Sequence, residues 1–147
     1  MGERDRRWPT GIGMTLGIGM LLLSACALKP GSGQQAVRVG MDEWTVKPSV
    51  STVSPGLVRF EVVNQGREEH ELIVLKTDLP PTSLKMRANE DKVDEDASGQ
   101  NIGEIEDVEA SKTKTGTFDL PAGRYVLLCN VAAHYRQGMA TPFEVKP

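Results

Sequence analysis

Cysteine and histidine are scarce in this sequence of 147 residues, which contains two of each. Two histidines cannot supply a metal site and also a second metal or substrate position, so the sequence does not predict an enzyme. Basic charge is also limited, because 17 Lys and Arg side chains stand against 20 Asp and Glu side chains, a net charge of −3. An acidic chain without a basic patch is not expected to bind nucleic acid.

The amino-terminal segment, residues 1–25, has the layout of a secretory signal peptide. Basic residues at the start are followed by an uncharged apolar run from Gly11 to Leu23. This run is too short for a comfortable membrane-spanning helix, which needs about 20 residues. Removal of residues 1–25 would leave 14 basic and 18 acidic side chains, a net charge of −4.

The stretch LSAC, which ends at Cys26, resembles the lipobox of bacterial lipoproteins. The resemblance implies cleavage before Cys26 and attachment of lipid to its sulfur, and two or more acyl chains anchor a protein stably. An ordinary signal peptide with an incidental cysteine is the alternative. Residues 26–36 are rich in Gly, Ser and Gln and predict a flexible tether. We therefore expect one extracytoplasmic domain, 37–147, lipid-anchored to a membrane on the periplasmic side or at the cell surface.

Short runs of alternating apolar residues, separated by Gly, Pro and Asn turns, fill most of the region 37–147, and no convincing amphipathic helix interrupts them. The pattern predicts an all-β domain, an antiparallel sandwich or barrel. The indicated strands are VRVGM, EWTVKPSV, LVRFEVV, HELIVLK, KTGTFDL, RYVLLC and ATPFEVK.

A long polar connection from Asp78 to Lys112 breaks this pattern. Between Glu90 and Glu109 it contains nine acidic side chains and a single basic one, Lys92. A solvated excursion is the simplest interpretation, and an acidic docking face for a basic partner is the functional alternative. A calcium loop is a poor match, because DKVDEDASG lacks the EF-hand spacing and its closing glutamate.

The candidate functional residues lie near the end of the chain, in CNVAAHYRQGM. Cys129, His134 and Met139 are five residues apart, and the other histidine, His70, opens the strand HELIVLK. If Cys26 carries lipid, Cys129 has no disulfide partner, and a lone thiol in an oxidising compartment is a liability unless it is buried or ligated. Thiolate, imidazole and thioether together suit a site that cycles copper.

Three other interpretations of these residues remain open at this point. Each residue on its own could be ordinary core or strand packing. Zinc would accept one Cys and two His, although it gains little from Met. A Cys–His nucleophile is the alternative without a metal, but no third residue that would orient the histidine is evident.

The spacing of Cys, His and Met before a last strand, with Asn-x-Gly upstream of the first His, resembles the cupredoxins, the small blue copper proteins. The likeness covers most of 37–146 and is strongest to the rusticyanin, auracyanin and sulfocyanin branch. It implies a Greek-key antiparallel β-sandwich, in which the acidic segment of this chain would form one long connection. It also implies one type 1 copper ion, with His70, Cys129, His134 and Met139 as ligands. Many relatives have Pro-Gly where this chain has Ala132-Ala133, and several have Asn in place of Glu71.

The resemblance implies a carrier of single electrons between membrane-associated redox partner proteins. It also implies that the edge of His134 faces solvent within an apolar patch formed by Val131, Ala132 and Ala133, through which electrons would pass. Extracytoplasmic copper storage or delivery is the alternative function, because such a protein would use similar ligands but release the metal readily.

Overall fold

The structure is a computed structural model, which describes Gly2 and residues 34–147. The predicted signal peptide 1–25, the predicted lipid-attachment residue Cys26 and nearly all of the predicted tether 26–36 lie outside the described residues. Strand β1 begins at Gln35, two residues before the expected start of the domain. Within the described residues, no helix is long and apolar enough to cross a membrane.

The described region is almost entirely β-structure. The strands are β1 Gln35–Asp42, β2 Thr45–Pro48, β3 Thr52–Val53, β4 Gly56–Asn64, β5 His70–Lys76, β6 Gln100–Val108, β7 Thr113–Leu120, β8 Gly123–Leu128 and β9 Ala140–Val145. A four-residue helix, α1, spans Glu95–Ser98, and a single 3₁₀ turn spans Tyr135–Gln137. Strands β4, β5, β7, β8 and β9 match the predicted runs closely.

The strands form two sheets that enclose one core. The first sheet has the order β2-β1-β4-β7 and the second has the order β3-β9-β8-β5-β6. The predicted β-sandwich is confirmed, but both sheets are mixed rather than purely antiparallel. Strand β1 pairs with β4 in parallel, and the short β3 pairs with β9 in parallel.

The alternation of apolar and polar residues along the strands explains which side chains form the core between the sheets. In β4, the side chains of Val58, Phe60 and Val62 are buried, and the residues between them face outward. Such a period of two places one face of a strand against the core. Tyr125 and Leu127 of β8 pack into the same cluster from the second sheet.

Strands β5 and β8 are buried on both faces, because the segment 77–99 covers the outer face of the second sheet. Leu84 and Val93 of this segment are buried in a second, smaller cluster. The long acidic connection is therefore present, and its first half buries Leu84 and Val93 against the sheet while most of its polar residues remain exposed. Its second half contains β6, whose sparse inward apolar residues gave only a weak strand pattern.

Candidate metal centre

The antiparallel pairing of β5 with β8 brings two of the candidate ligands to one end of the sandwich. Ile73 of β5 lies opposite Leu128 of β8, so the first residue of β5 and the residue after β8 are neighbours. These residues are His70 and Cys129, and both are fully buried. The start of β5 and the ligand loop, residues 129–139, therefore lie at one end of the domain.

The side chains of His70, Cys129 and His134 converge on one point. The two imidazole Nδ1 atoms lie 3.2 Å apart, and Cys129 Sγ lies 3.8 Å from Nδ1 of His70 and 3.4 Å from Nδ1 of His134. The point equidistant from these three atoms is about 2 Å from each, close to the length of a metal–imidazole bond. The cluster therefore has the size of a trigonal metal site made of two nitrogens and one sulfur.

Burial sets the protonation of these groups. It lowers the pKa of His70, and the neighbouring His134 adds to this effect, so the His70 imidazole is held neutral and can act as a ligand. Burial raises the pKa of the Cys129 thiol to about 11, although the backbone N–H of Glu71 donates to its sulfur at 3.5 Å. Without a cation the thiol keeps its proton, and a bound cation would displace that proton.

Backbone hydrogen bonds close the ligand loop on itself. The N–H of Cys129 donates to the carbonyl of Met139 at 3.0 Å, and the N–H of Met139 donates to the carbonyl of His134 at 3.3 Å. The Met139 side chain is fully buried in the main core cluster, which also contains Cys129. These hydrogen bonds place Met139, the fourth predicted ligand, next to Cys129, the first residue of the loop.

The loop turns at Ala133, which has a left-handed backbone conformation with φ of 69°. This conformation is ordinary for glycine and strained for alanine. It explains how the chain makes the turn without the Pro-Gly pair of many cupredoxins. The N–H of Ala133 donates to the carbonyl of Asp91 at 2.8 Å, so the covering segment helps to hold the turn.

Asn130 ties the ligand loop to the covering segment a second time. Its buried side-chain amide accepts from the N–H of Val93 at 2.6 Å and donates to the carbonyl of the same residue at 3.1 Å. It also donates to a carboxylate oxygen of Glu95 at 2.9 Å. The residue next to the candidate thiol ligand is therefore fixed by three hydrogen bonds, and nothing in its sequence context predicted this role.

The expected solvent exposure of His134 is wrong. The His134 side chain is only 5% exposed, and its Nε2 lies 3.0 Å from a carboxylate oxygen of Glu68. The ring of Trp44 packs edge-on against it, with ring centroids 5.1 Å apart. Trp44 is itself 37% exposed. The part-exposed groups in contact with the His134 ring are therefore the Trp44 indole and the Glu68 carboxylate.

Sequence reasoning found the three converging side chains but missed the residues around them. The contact between Glu68 and His134 joins positions 66 residues apart, and no local pattern announces such a pair. Trp44 follows β1 in a turn, and a single exposed aromatic residue in a turn does not indicate a functional site. The Asn64 of the Asn-x-Gly signal does have a structural role, because its side chain donates to the carbonyls of Glu68 and Val108.

Comparison with known proteins supports the fold. No protein-family model matches the chain, and no curated protein matches it in sequence. The chain is similar in structure to a reduced auracyanin from the photosynthetic bacterium Roseiflexus castenholzii, with a TM-score of 0.57 and 19% identity over 78% of this chain and 100% of the other. Auracyanin B gives a TM-score of 0.54 and 22% identity over 77% of this chain and 89% of that one. Auracyanin A, a "blue" copper protein from Chloroflexus aurantiacus, gives a TM-score of 0.54 and 20% identity over 78% of this chain and 100% of that one. The domain thus has the cupredoxin-like β-sandwich of the auracyanins.

Proposed function

We propose that the protein is a mononuclear blue copper protein of the cupredoxin family, which carries single electrons and does not act as an enzyme. The observation that carries the proposal is the triangle of two Nδ1 atoms and one Sγ atom at one end of the sandwich. A trigonal set of two His and one Cys with a weak axial Met is typical of copper electron-transfer sites. The structural likeness to the auracyanins supports the same assignment.

The four side chains have distinct roles in this proposal. Cys129 would bind copper as a thiolate, and His70 and His134 would bind it as neutral imidazoles. Met139 would tune the reduction potential as a weakly bound thioether. When bound, copper would supply a one-electron couple between Cu(I) and Cu(II). The protein contributes a fixed ligand geometry, because each candidate ligand is buried and the loop is held by backbone hydrogen bonds.

Burial favours electron transfer over copper storage or delivery. Delivery requires a ligand that an acceptor can reach, whereas His70 and Cys129 have no exposed surface and His134 has almost none. An electron can cross a thin layer of packed protein, but direct transfer of a metal ion to an acceptor needs an exposed ligand. Zinc would also fit a triangle of this size, although the usual zinc ligands do not include the Met that follows in the same loop.

Trp44 is the proposed route for electrons between His134 and solvent. Its ring contacts the His134 ring and is part-exposed at the surface. This route replaces the apolar patch around Val131 that the family resemblance implied. A redox partner would dock over Trp44.

The acidic face formed by exposed carboxylates of α1 and β6 is proposed to steer a basic redox partner. Asp96, Glu104 and Glu106 are exposed there. Not every acid in this region is free for such a role, because Asp94 caps α1 and Glu95 accepts hydrogen bonds from Asn130 and Asn101. Steering by exposed charges acts on association rates and is screened by salt.

A lipid anchor at Cys26 is proposed to hold this domain outside the cytoplasmic membrane, because LSAC resembles a lipobox. Cys26→Ser expressed in a bacterial host should release the protein from the membrane fraction while leaving copper binding intact. Retention of that variant in the membrane fraction would contradict the anchor.

The proposed function is tested by titrating the purified chain with Cu(II) and then cycling it between a reductant and an oxidant. An electron carrier should take up one copper per chain, cycle reversibly and keep the metal in the presence of a competing chelator. Storage or delivery predicts a preference for Cu(I) and loss of the metal to the chelator within the time of mixing. Met139→Gln should keep the metal but lower the potential, because a harder axial oxygen favours Cu(II).

A further inference from the structure

Each candidate ligand imidazole has a glutamate on the edge that faces away from the metal position. His134 Nε2 lies 3.0 Å from Glu68 Oε2, and His70 Nε2 lies 3.8 Å from Glu43 Oε1. Nε2 of His70 is buried and has no hydrogen-bond partner among the residues that the structure describes. A buried polar atom without a partner costs free energy, and the Glu43 carboxylate is within reach of a small movement or one bridging water.

The Glu43 carboxylate is held in place by the turn that precedes His70. One of its oxygens accepts the backbone N–H of Arg67 at 2.6 Å and that of Glu68 at 2.8 Å. A Cβ atom at Gly66 would collide with this carboxylate, so the turn leaves room for it. These N–H donors, that of Glu68 first, lower the pKa of Glu43 and keep it ionised.

The same turn positions the second carboxylate. The backbone N–H of Glu68 donates to the Glu43 carboxylate. The backbone carbonyl of Glu68 accepts from the Asn64 side chain at 2.6 Å. The backbone of Glu68 is thus held on both sides, and its side chain contacts His134. One short turn, 64–69, therefore places a negative charge behind each imidazole.

We propose that Glu43 and Glu68 form a carboxylate pair that positions both ligand imidazoles in the Nε2–H form and lowers the reduction potential of the copper site. A neutral imidazole has one N–H, and a carboxylate at Nε2 keeps the proton there and leaves the Nδ1 lone pair free for a metal. Two negative charges behind the ligands favour the more positive state of the metal, which is Cu(II). The effect on potential rests on the proposed copper function, whereas the effect on the tautomer does not.

The charge effect is tested with Glu43→Gln and Glu68→Gln in the copper-loaded chain. Glutamine keeps the size and an accepting oxygen but removes the charge. Each variant should raise the reduction potential, and the double variant should shift the Cu(I)/Cu(II) equilibrium at least tenfold, about 59 mV for one electron. Glu144→Gln is the matched control, because it makes the same charge change on a part-exposed residue of β9, which runs away from the site. An unchanged or lower potential in the Gln variants, relative to Glu144→Gln, would overturn the charge effect.

The positioning effect is tested in the metal-free chain by ¹⁵N NMR of the two histidine rings. Both rings should be Nε2–H in the native chain, and Glu68→Ala should give His134 a measurable Nδ1–H population while the His70 ring keeps its tautomer. Glu68 is about half exposed, so its removal leaves the core intact. A His134 ring that is Nδ1–H in the native chain, or that is unchanged in Glu68→Ala, would overturn the positioning role.

The two measurements separate this inference from the proposed function. If the native chain binds no copper, the proposed function and the charge effect both fail, and the metal-free tautomers still decide the positioning role. If copper binds and cycles but the Gln variants match Glu144→Gln, the function stands and the charge effect of the carboxylate pair is refuted.

Discussion

The Nδ1 atoms of His70 and His134 lie 3.2 Å apart, although 64 positions separate these residues in the chain. The Cys129 sulfur is the third atom of the same cluster. Three buried donor atoms that converge on one point are better explained as a ligand set than as core packing.

Trp44 is expected to control electron exchange, because its ring joins His134 to the surface. Trp44→Ala should slow electron self-exchange between reduced and oxidised chains, and Trp44→Phe should slow it less, since phenylalanine keeps an aromatic contact. NMR line broadening in mixtures of the two states measures the rate. Leu57→Ala is the control, because Leu57 is also an exposed apolar residue but lies at the start of β4, away from the site. Equal or faster exchange in Trp44→Ala would mean that electrons pass through the His134 edge directly.

Ala133→Gly is expected to relieve strain in the ligand loop. Alanine at φ of 69° costs about 1–2 kcal/mol relative to glycine. Ala132→Gly is the matched control, because Ala132 is exposed and lacks a positive φ, so glycine there only adds freedom to the unfolded chain. The metal-free Ala133→Gly variant should therefore be more stable than Ala132→Gly by about 1–2 kcal/mol in denaturant unfolding. Equal stability of the two variants would show that Ala133 is not strained.

The buried thiol predicts a pH dependence for the metal-free chain. Burial raises the pKa of Cys129 from 9.0 to about 11, so between these values the folded chain holds a proton that the unfolded chain has lost. The free energy of unfolding should therefore fall as pH rises from 9 to 11, by an amount on the order of 2 kcal/mol. Cys129→Ala should lack this component in chemical unfolding measured across the same range. Parallel pH profiles for the native chain and Cys129→Ala would contradict the buried, protonated thiol.

The acidic face is expected to act on rates and not on the site itself. Glu104→Gln with Glu106→Gln should slow reduction by a cationic ruthenium hexaammine at low salt, and the difference should disappear at high salt. Reduction by an anionic complex should instead become faster in the variant at low salt. Stopped-flow absorbance measures both rates, and a rate at low salt that is unaffected in the variant would count against steering.

The strands and three of the site residues were predictable because their signals are local. Alternation in β4 and β8 predicts a half-buried strand wherever it occurs, and the spacing of Cys129 and His134 fixes both on one loop. His70 could be added because it opens a strand and is the remaining histidine in the sequence.

The rest of the domain depends on contacts that local patterns do not encode. Leu84 and Val93 are isolated apolar residues in a polar segment, so no period indicates that they are buried. The parallel pairing of β1 with β4 is set by packing of the whole sheet. The covering of His134 by Glu68 and Trp44 joins three distant parts of the chain, and it reverses the exposure that the family resemblance implied.

The visible absorption spectrum of the Cu(II)-loaded chain tests the central claim most directly. Charge transfer between the Cys129 thiolate and Cu(II) should give an intense blue band that disappears on reduction and returns on oxidation. Cys129→Ser should remove the band even where some copper stays bound, because the serine oxygen cannot replace the thiolate. A colourless Cu(II) complex of the native chain, with copper bound in equal amount, would contradict the blue copper site.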